Sequence, residues 1–211
     1  VAKEEKVSKV VFASSSSVYG DNEDMPKIED KIGRQLSPYA VTKHVNELYG
    51  KVFFDVYGLP TIGIRYFNVF GKRQNPNGAY AAVIPKWIEA MLNEAEVNIY
   101  GDGETSRDFS YIDNVVQMNI AAGINENQEA YGKIFNCALE SSTSLNELFL
   151  LIKDNVSLLR KKTYPLEPVY RDFRKGDILH SMAKIDKAAY FFDYNPEVTI
   201  SQGIKSTVKY F

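Results

Sequence analysis

Cysteine and histidine are scarce in this 211-residue chain, in which Cys137 stands alone beside two histidines. An intrachain disulfide is excluded, and no Cys/His cluster of zinc-site type can form. No metal site is expected, so the chemistry has to be organic or carried by a cofactor. An excess of either charge is also missing, since 25 Lys and Arg meet 27 Asp and Glu for a net charge of -2 and a pI near 5.8. That balance lacks the electrostatic footprint of a general nucleic-acid binder. Any anionic ligand must be gripped by local basic residues. Long apolar runs are absent as well: stretches such as Leu148 to Ile152 fall far short of the ~20 residues that a membrane-spanning helix needs. The opening VAKEEKVSK lacks the apolar segment of a signal peptide. A soluble, cytoplasmic protein without nucleic-acid or membrane partners is therefore expected. There is no initiator methionine, and Val1 to Val7 reads as the tail of a charged helix feeding a buried strand. The expectation is the later part of a longer chain.

What is present is an ordinary globular composition, 45% hydrophobic and 25% charged, enough for one sizeable core or two small ones. VVFASS is short, β-branched and bounded by polar residues, which predicts a strand over Lys9 to Ser15 buried in a parallel sheet. Ser37-Pro38 marks a helix start, and helical spacing runs through Val41, Val45, Leu48 and Val52 to a stop at Gly58. TIGIRYF, 61 to 67, is a second buried strand, so the order strand, helix, strand predicts a crossover unit of an α/β sheet. Beyond a Gly/Asn/Pro loop come a helix from about Ala81 to Ala95, a short strand VNIY and a Gly-Asp-Gly turn. DFSYI reads as strand-like, Asp113 to Ile124 as helix and KIFNCA, 133 to 138, as another buried strand. Ser-Leu-Asn-Glu at Ser144 is a capping box that opens a helix through about Leu159. PVYRD as strand, Lys184 to Phe192 as helix and a last helix near Ser201 complete the reading.

Two groups of residues suggest chemistry. Tyr39 and Lys43 lie four apart near the start of the long helix, where such side chains share a face. Bringing a phenol of ordinary pKa near 10 into use as a base at neutral pH takes about 4 kcal/mol of preferential stabilisation of the phenolate. One lysine is not expected to supply that alone, whereas an added cofactor cation would help. By composition about one Tyr-x-x-x-Lys pair is expected by chance, so the pair alone is as well explained as helix surface. Ser14 to Ser17 form the second group, at the carboxyl end of the first strand, where open α/β sheets place their ligand crevice. A hydroxyl there can bond a substrate oxygen and a neighbouring phenol together. The informative feature is the order: serine-rich strand end, VYG, Tyr-x-x-x-Lys at a helix start, then a strand ending RYFNVFG.

With SSSSVYGD, SPYAVTKHVNELY, IRYFNVFGKRQNPNGAYAAVIPKW, YGDGETSRDFSYIDNVV and VYRDFRKGDILHS, the chain resembles the extended short-chain dehydrogenase/reductases along essentially its whole length. Within them it is most similar to nucleotide-sugar 4-epimerases, above all those acting on UDP-N-acetylglucosamine. The resemblance implies an α/β fold: the C-terminal part of a Rossmann-like doubly wound parallel sheet plus a smaller α/β substrate-binding domain. Residues 1–70, with 112–138 returning, would be the second half of the dinucleotide-binding domain, and 71–211 mainly the UDP-sugar domain. It implies NAD as cofactor, Ser15 as the catalytic serine, Tyr39 as the base, and Lys43 as the residue that bonds the nicotinamide ribose and acidifies Tyr39. Tyr66, Phe67 and Val69 would line the nicotinamide end, alongside Tyr39 and Lys43.

On the substrate side the resemblance implies that Asn68, Tyr100, Arg107, Arg174 and Asp177 hold the UDP moiety, the arginines on the pyrophosphate and the aspartate on the uridine ribose. Guanidinium forks suit phosphate oxygens and offset a slightly acidic protein locally. Related dehydratases carry an Asp-Glu pair, and decarboxylases a Glu, where this chain has Ser16 and Ser17, so simple epimerisation is favoured. Glucose-restricted relatives carry a bulky Tyr where this chain has Ser181, and the vacated volume should admit an N-acetyl group. The resemblance also implies a homodimer packed through the helix that carries Tyr39. His44 is expected to face solvent or a subunit contact, and Cys137 to sit in the core.

No Gly-x-x-Gly-x-x-Gly run occurs in the 211 residues, and such a loop is what lays a dinucleotide pyrophosphate on a helix N-terminus. The chain by itself is therefore expected not to bind NAD tightly. Two alternatives stay open: a non-catalytic UDP-sugar-binding fragment, and a dehydratase or net oxidoreductase acting on a nucleotide sugar.

Overall fold

The computed structural model describes residues 1–77, 82–173 and 178–211. In chain order the elements are β1 (Val10–Ser15), α1 (Pro38–Tyr57), β2 (Thr61–Tyr66), β3 (Val69–Phe70), α2 (Val83–Leu92), β4 (Asn98–Tyr100), β5 (Ser106–Arg107), β6 (Ser110–Tyr111), α3 (Ile112–Ile124), β7 (Lys133–Cys137), β8 (Thr143–Ser144), α4 (Leu145–Arg160), β9 (Val169–Arg171), β10 (His180–Ser181), α5 (Asp186–Phe192) and α6 (Ile200–Val208). They divide into two compact units: residues 1–67, 113–140 and 182–197 make the first, and 68–112, 141–181 and 198–211 the second. Residues 182–197 thus lie in the first unit, outside the spans assigned to it from the sequence.

The first unit is built on a parallel sheet of order β1-β2-β7. β2 is its central strand, with Ile62 and Ile64 fully buried, and Phe135 and Cys137 of β7 are buried beside it. α1 crosses over between β1 and β2. Ser37 caps it by accepting from the Ala40 N–H, Pro38 opens it, and Gly58 ends it in the left-handed conformation at φ 67, which costs glycine no Cβ clash. The face that α1 turns to the sheet is not the apolar stripe that its spacing suggests. Ala40, Glu47 and Gly50 are buried, whereas Val41, Val45, Leu48 and Val52 are exposed. Close approach is the reason: a Cβ on Gly50 would lie 2.6 Å from the Phe12 ring.

The second unit packs α2, α4 and α6 around short strand pairs. Ile84, Trp87, Ile88, Met91, Ile99, Leu148, Phe149, Ile152 and Ile204 form its core. α4 carries the expected capping box, in which Ser144 Oγ accepts from the Glu147 N–H and the Glu147 carboxylate accepts from the Ser144 N–H. β5 lies between β10, parallel, and β8, antiparallel. β4 pairs parallel with β9. The strand-like DFSYI contracts to Ser110–Tyr111, paired with β3, because the chain turns directly into α3. None of the described helices is long and apolar enough to cross a membrane.

Candidate active site

In the first unit the carboxyl ends of β1 and β2 gather one set of candidate residues. The parallel register puts Ser15 beside Tyr66 and Ser14 beside Arg65. After Ser15 the chain makes a 3-10 turn over Ser16–Tyr19, capped by Ser15, whose Oγ accepts from the Ser17 N–H at 3.2 Å. Ser17 Oγ is buried without a hydrogen-bond partner among the described residues. Lys43 donates from Nζ to the Ala13 carbonyl at 3.1 Å. This bond pins the second turn of α1 to the end of β1, and the same ammonium lies 5.7 Å from the centroid of the Tyr39 ring. Tyr39 itself is 48% exposed. Tyr39, Lys43 and Ser15 therefore stand at one end of the sheet, with the phenol open.

Tyr66 is the more enclosed of the two phenols. Its hydroxyl donates to Asn119 Oδ1 at 2.8 Å, and burial pushes its phenol pKa up. Phe67 is wholly buried, its ring 5.8 Å from that of Tyr19.

Beneath these residues lies a buried polar network that sequence reasoning did not find. Glu47 accepts from Arg65 Nε and Nη2, each at 2.8 Å, and from the Ser14 hydroxyl. The side chains of Arg65 and Glu47 are 3% and 7% exposed. Arg65 also donates to the Glu29 carbonyl at 2.9 Å and lies 4.7 Å from the Tyr19 ring centroid. Burial pushes the Tyr19 phenol up to about 12, against the pull of that guanidinium. Its hydroxyl donates to Asn136 Oδ1 at 2.7 Å. A signal was available: Glu47 falls four residues after Lys43 and eight after Tyr39, on the same helical stripe.

The second unit holds the other set. Asn68, Tyr100 and Arg107 line one cleft of about 460 Å³, together with Lys86, Trp87 and Asn98. Asn68 is held at φ 34, a left-handed conformation that asparagine tolerates, and its Nδ2 donates to the Asp108 carbonyl at 2.9 Å. Arg107 is fixed by donation from Nη1 to the carbonyls of Ser106 and Leu179, at 2.9 and 3.0 Å. Ser181 sits directly beside Arg107 across the β10–β5 ladder. Val69 lies in β3, opposite Ser110. Arg174 and Asp177 lie outside the described residues. His44 is half-buried, its Nδ1 3.3 Å from Gln35 Oε1, and Cys137 is fully buried. Among the described residues no three His, Cys, Asp or Glu side chains are placed to hold a metal ion.

Tyr39 and Lys43 fit the nicotinamide end of a dinucleotide, with a half-exposed phenol and an ammonium that spends one of its three donors on Ala13.

Comparison with known proteins places this geometry in context. The sequence profile of the NAD dependent epimerase/dehydratase family matches residues 1–138. A putative UDP-glucose 4-epimerase of Methanocaldococcus jannaschii is 36% identical over 205 residues, which are 97% of this chain and 63% of that protein. Among solved structures, the UDP-N-acetylglucosamine 4-epimerase of Methanobrevibacter ruminantium M1, in complex with UDP-N-acetylmuramic acid, is 41% identical with a TM-score of 0.89. The likeness covers 99% of this chain and 64% of that one. The UDP-glucuronic acid 4-epimerase of Bacillus cereus, in complex with UDP-glucuronic acid and NAD, is 29% identical with a TM-score of 0.83, covering 99% and 63%. The chain thus spans about 63% of the length of the curated relative. A profile that runs from the first residue to the end of β7, over the strand ends and helix that carry Ser15, Tyr39 and Lys43, settles the kinship: the chain belongs to the NAD dependent epimerase/dehydratase family.

Proposed function

We propose that these residues form the acid–base and UDP-sugar portion of an NAD-dependent UDP-hexose 4-epimerase acting between UDP-GlcNAc and UDP-GalNAc. The observation that carries this reading is the half-exposed Tyr39 phenol at the end of β1, beside the Lys43 ammonium that is tied to the Ala13 carbonyl. When bound, NAD supplies reversible hydride acceptance at C4 of the sugar. The chain's own residues do the rest. Tyr39 takes the proton of the 4-hydroxyl and later returns it, and Ser15 bridges sugar oxygen and phenol. Lys43 stabilises the phenolate and bonds the nicotinamide ribose.

In the second unit Arg107 and Asn68 grip the UDP moiety, Tyr100 lines the same cleft, and Arg174 and Asp177 are proposed to add the second arginine and the ribose contact. Ser16 and Ser17 bring hydroxyls but no carboxylate to the sugar, which disfavours dehydration. Ser181, beside Arg107, leaves room for an acetamido group. A second copy of the chain is proposed to cover the exposed apolar face of α1, since contiguous apolar surface of this kind marks interfaces.

The test is the NAD-loaded protein incubated with UDP-GlcNAc and, separately, with UDP-Glc, products being resolved by anion exchange and NMR. UDP-GalNAc forming faster than UDP-Gal is the expected outcome. Accumulation of a 4-keto product, or no conversion of either sugar, would overturn the reading.

A further inference from the structure

Ser15 and Tyr39 belong to elements that the chain joins by a long excursion. Ser15 ends β1 and caps the 3-10 turn over Ser16–Tyr19, whereas Tyr39 stands in the first turn of α1. The excursion between them is closed at its neck. The Gly33 N–H donates to the Tyr19 carbonyl at 3.0 Å, and the Asp21 N–H to the Arg34 carbonyl at 3.1 Å. The Arg34 N–H donates in turn to Asp21 Oδ1 at 2.7 Å. Gly20, at φ 56, lets the two sides touch, since a Cβ there would run into the Arg34 carbonyl.

Gln35 follows the neck and ties it to its surroundings. Its Nε2 donates to the Val18 carbonyl, in the 3-10 turn, and to the Gly33 carbonyl, both at 3.0 Å. Carbonyls only accept, so the amide NH2 is fixed toward them and Oε1 is left as the acceptor that faces His44 Nδ1 at 3.3 Å. His44 lies in the second turn of α1, next to Lys43. One amide thus spends both protons and its oxygen on joining turn, neck and helix. The same geometry fixes the neutral imidazole of His44 with its proton on Nδ1.

We propose that Gln35, held by His44, is a positioning residue that sets how the Ser15 turn stands against Tyr39 on α1. The inference rests on the reading that Ser15 and Tyr39 act on one sugar oxygen, and deepens it.

Two readouts test it. The first needs no cofactor: heteronuclear correlation NMR of the imidazole nitrogens in alkaline buffer, where His44 and His180 are the two histidines of the sequence and His44→Asn identifies the signals. His44 should carry its proton on Nδ1 in wild type and revert in Gln35→Met to Nε2, the form that free histidine prefers. The second is steady-state turnover of UDP-GlcNAc by the NAD-loaded protein. Gln35→Met keeps the length of the side chain without its hydrogen bonds, and should lower kcat by about 10–100-fold, the scale of a misplaced reacting group, with KM held within about twofold. In a Ser15→Ala background the same change should cost less than about threefold, because the geometry it sets is already lost, whereas a merely structural role would multiply the two losses. Should Gln35→Met fail to fold, His44 decides: kcat should fall severalfold in His44→Leu and be kept in His44→Asn, whose amide places an N–H donor where Nδ1 stood. Wild-type kcat in Gln35→Met, multiplied losses in the double variant, equal kcat in the two His44 variants, or a wild-type His44 proton on Nε2 overturns the proposal while leaving Tyr39 as the base. Absence of turnover by wild type overturns the functional reading and this role together.

Discussion

Replacing Arg65 by methionine would leave the Glu47 carboxylate buried at the foot of α1 with the Ser14 hydroxyl as its remaining partner. Both side chains of the ion pair are less than a tenth exposed. Removing one partner of such a pair typically costs about 3–5 kcal/mol, because the other is stranded without water. In a domain of this size about 1 kcal/mol moves Tm by roughly 2–4 °C, so Arg65→Met should lower Tm by about 6–20 °C. Glu47→Leu should cost a similar amount by stranding the guanidinium. The double variant removes both charges and forfeits the hydrogen bonds to the Glu29 carbonyl and from Ser14, together with the guanidinium contact on the Tyr19 ring. At about 1 kcal/mol each, its loss should be about 3 kcal/mol, well under the ~6–10 kcal/mol obtained by adding the single losses. Urea denaturation at neutral pH, followed by far-ultraviolet circular dichroism, measures all four corners of the cycle. If the double variant loses as much as the two singles added together, the buried pair is not the coupled element described here.

Three further outcomes follow from named contacts. Burial raises the Glu29 carboxyl pKa above its ordinary 4.5, so its protonated form is favoured in the folded state. The stability this gives is complete below that value and is lost as pH rises through the raised pKa. Glu29→Gln keeps an acceptor for the Asn136 N–H, and its Tm should therefore gain on wild type between about pH 4 and about pH 8; a constant difference would refute the assignment. Ser181→Tyr should lower kcat/KM for UDP-GlcNAc by about tenfold or more while sparing UDP-Glc, measured by product chromatography, and equal losses for both would count against the sugar pocket. Val45→Lys with Val52→Lys on the exposed face of α1 should halve the mass seen by light scattering without changing the circular dichroism, and an unchanged mass would refute the homodimer.

Much of the first unit is legible from local pattern. Short apolar runs mark β1, β2 and β7, and Ser37-Pro38 with Gly58 bounds α1 because capping is a local hydrogen-bonding matter. The orientation of α1 is not legible in the same way. Its apolar residues suggest one buried face, but the close approach to Phe12 demands small side chains, and Glu47 is admitted because Arg65, eighteen residues later, neutralises it. Apart from Ser110–Tyr111, inside DFSYI, the two-residue strands of the second unit escape the reading because two residues show no period. Tyr100 and Arg107 were expected together from their motif, and they line one cleft. The Arg171 hydrogen bond to Asn98 in that cleft was not, since Arg171 reaches it from 73 residues away.

The central claim is that the Tyr39 phenol is the base, and steady-state turnover of UDP-GlcNAc by the NAD-loaded Tyr39→Phe protein tests it most directly. The account predicts that kcat falls by about 10²–10⁴-fold, while UDP binding, measured in parallel, stays within about twofold because Arg107 and Asn68 are untouched. Turnover at the wild-type rate in that variant would contradict it.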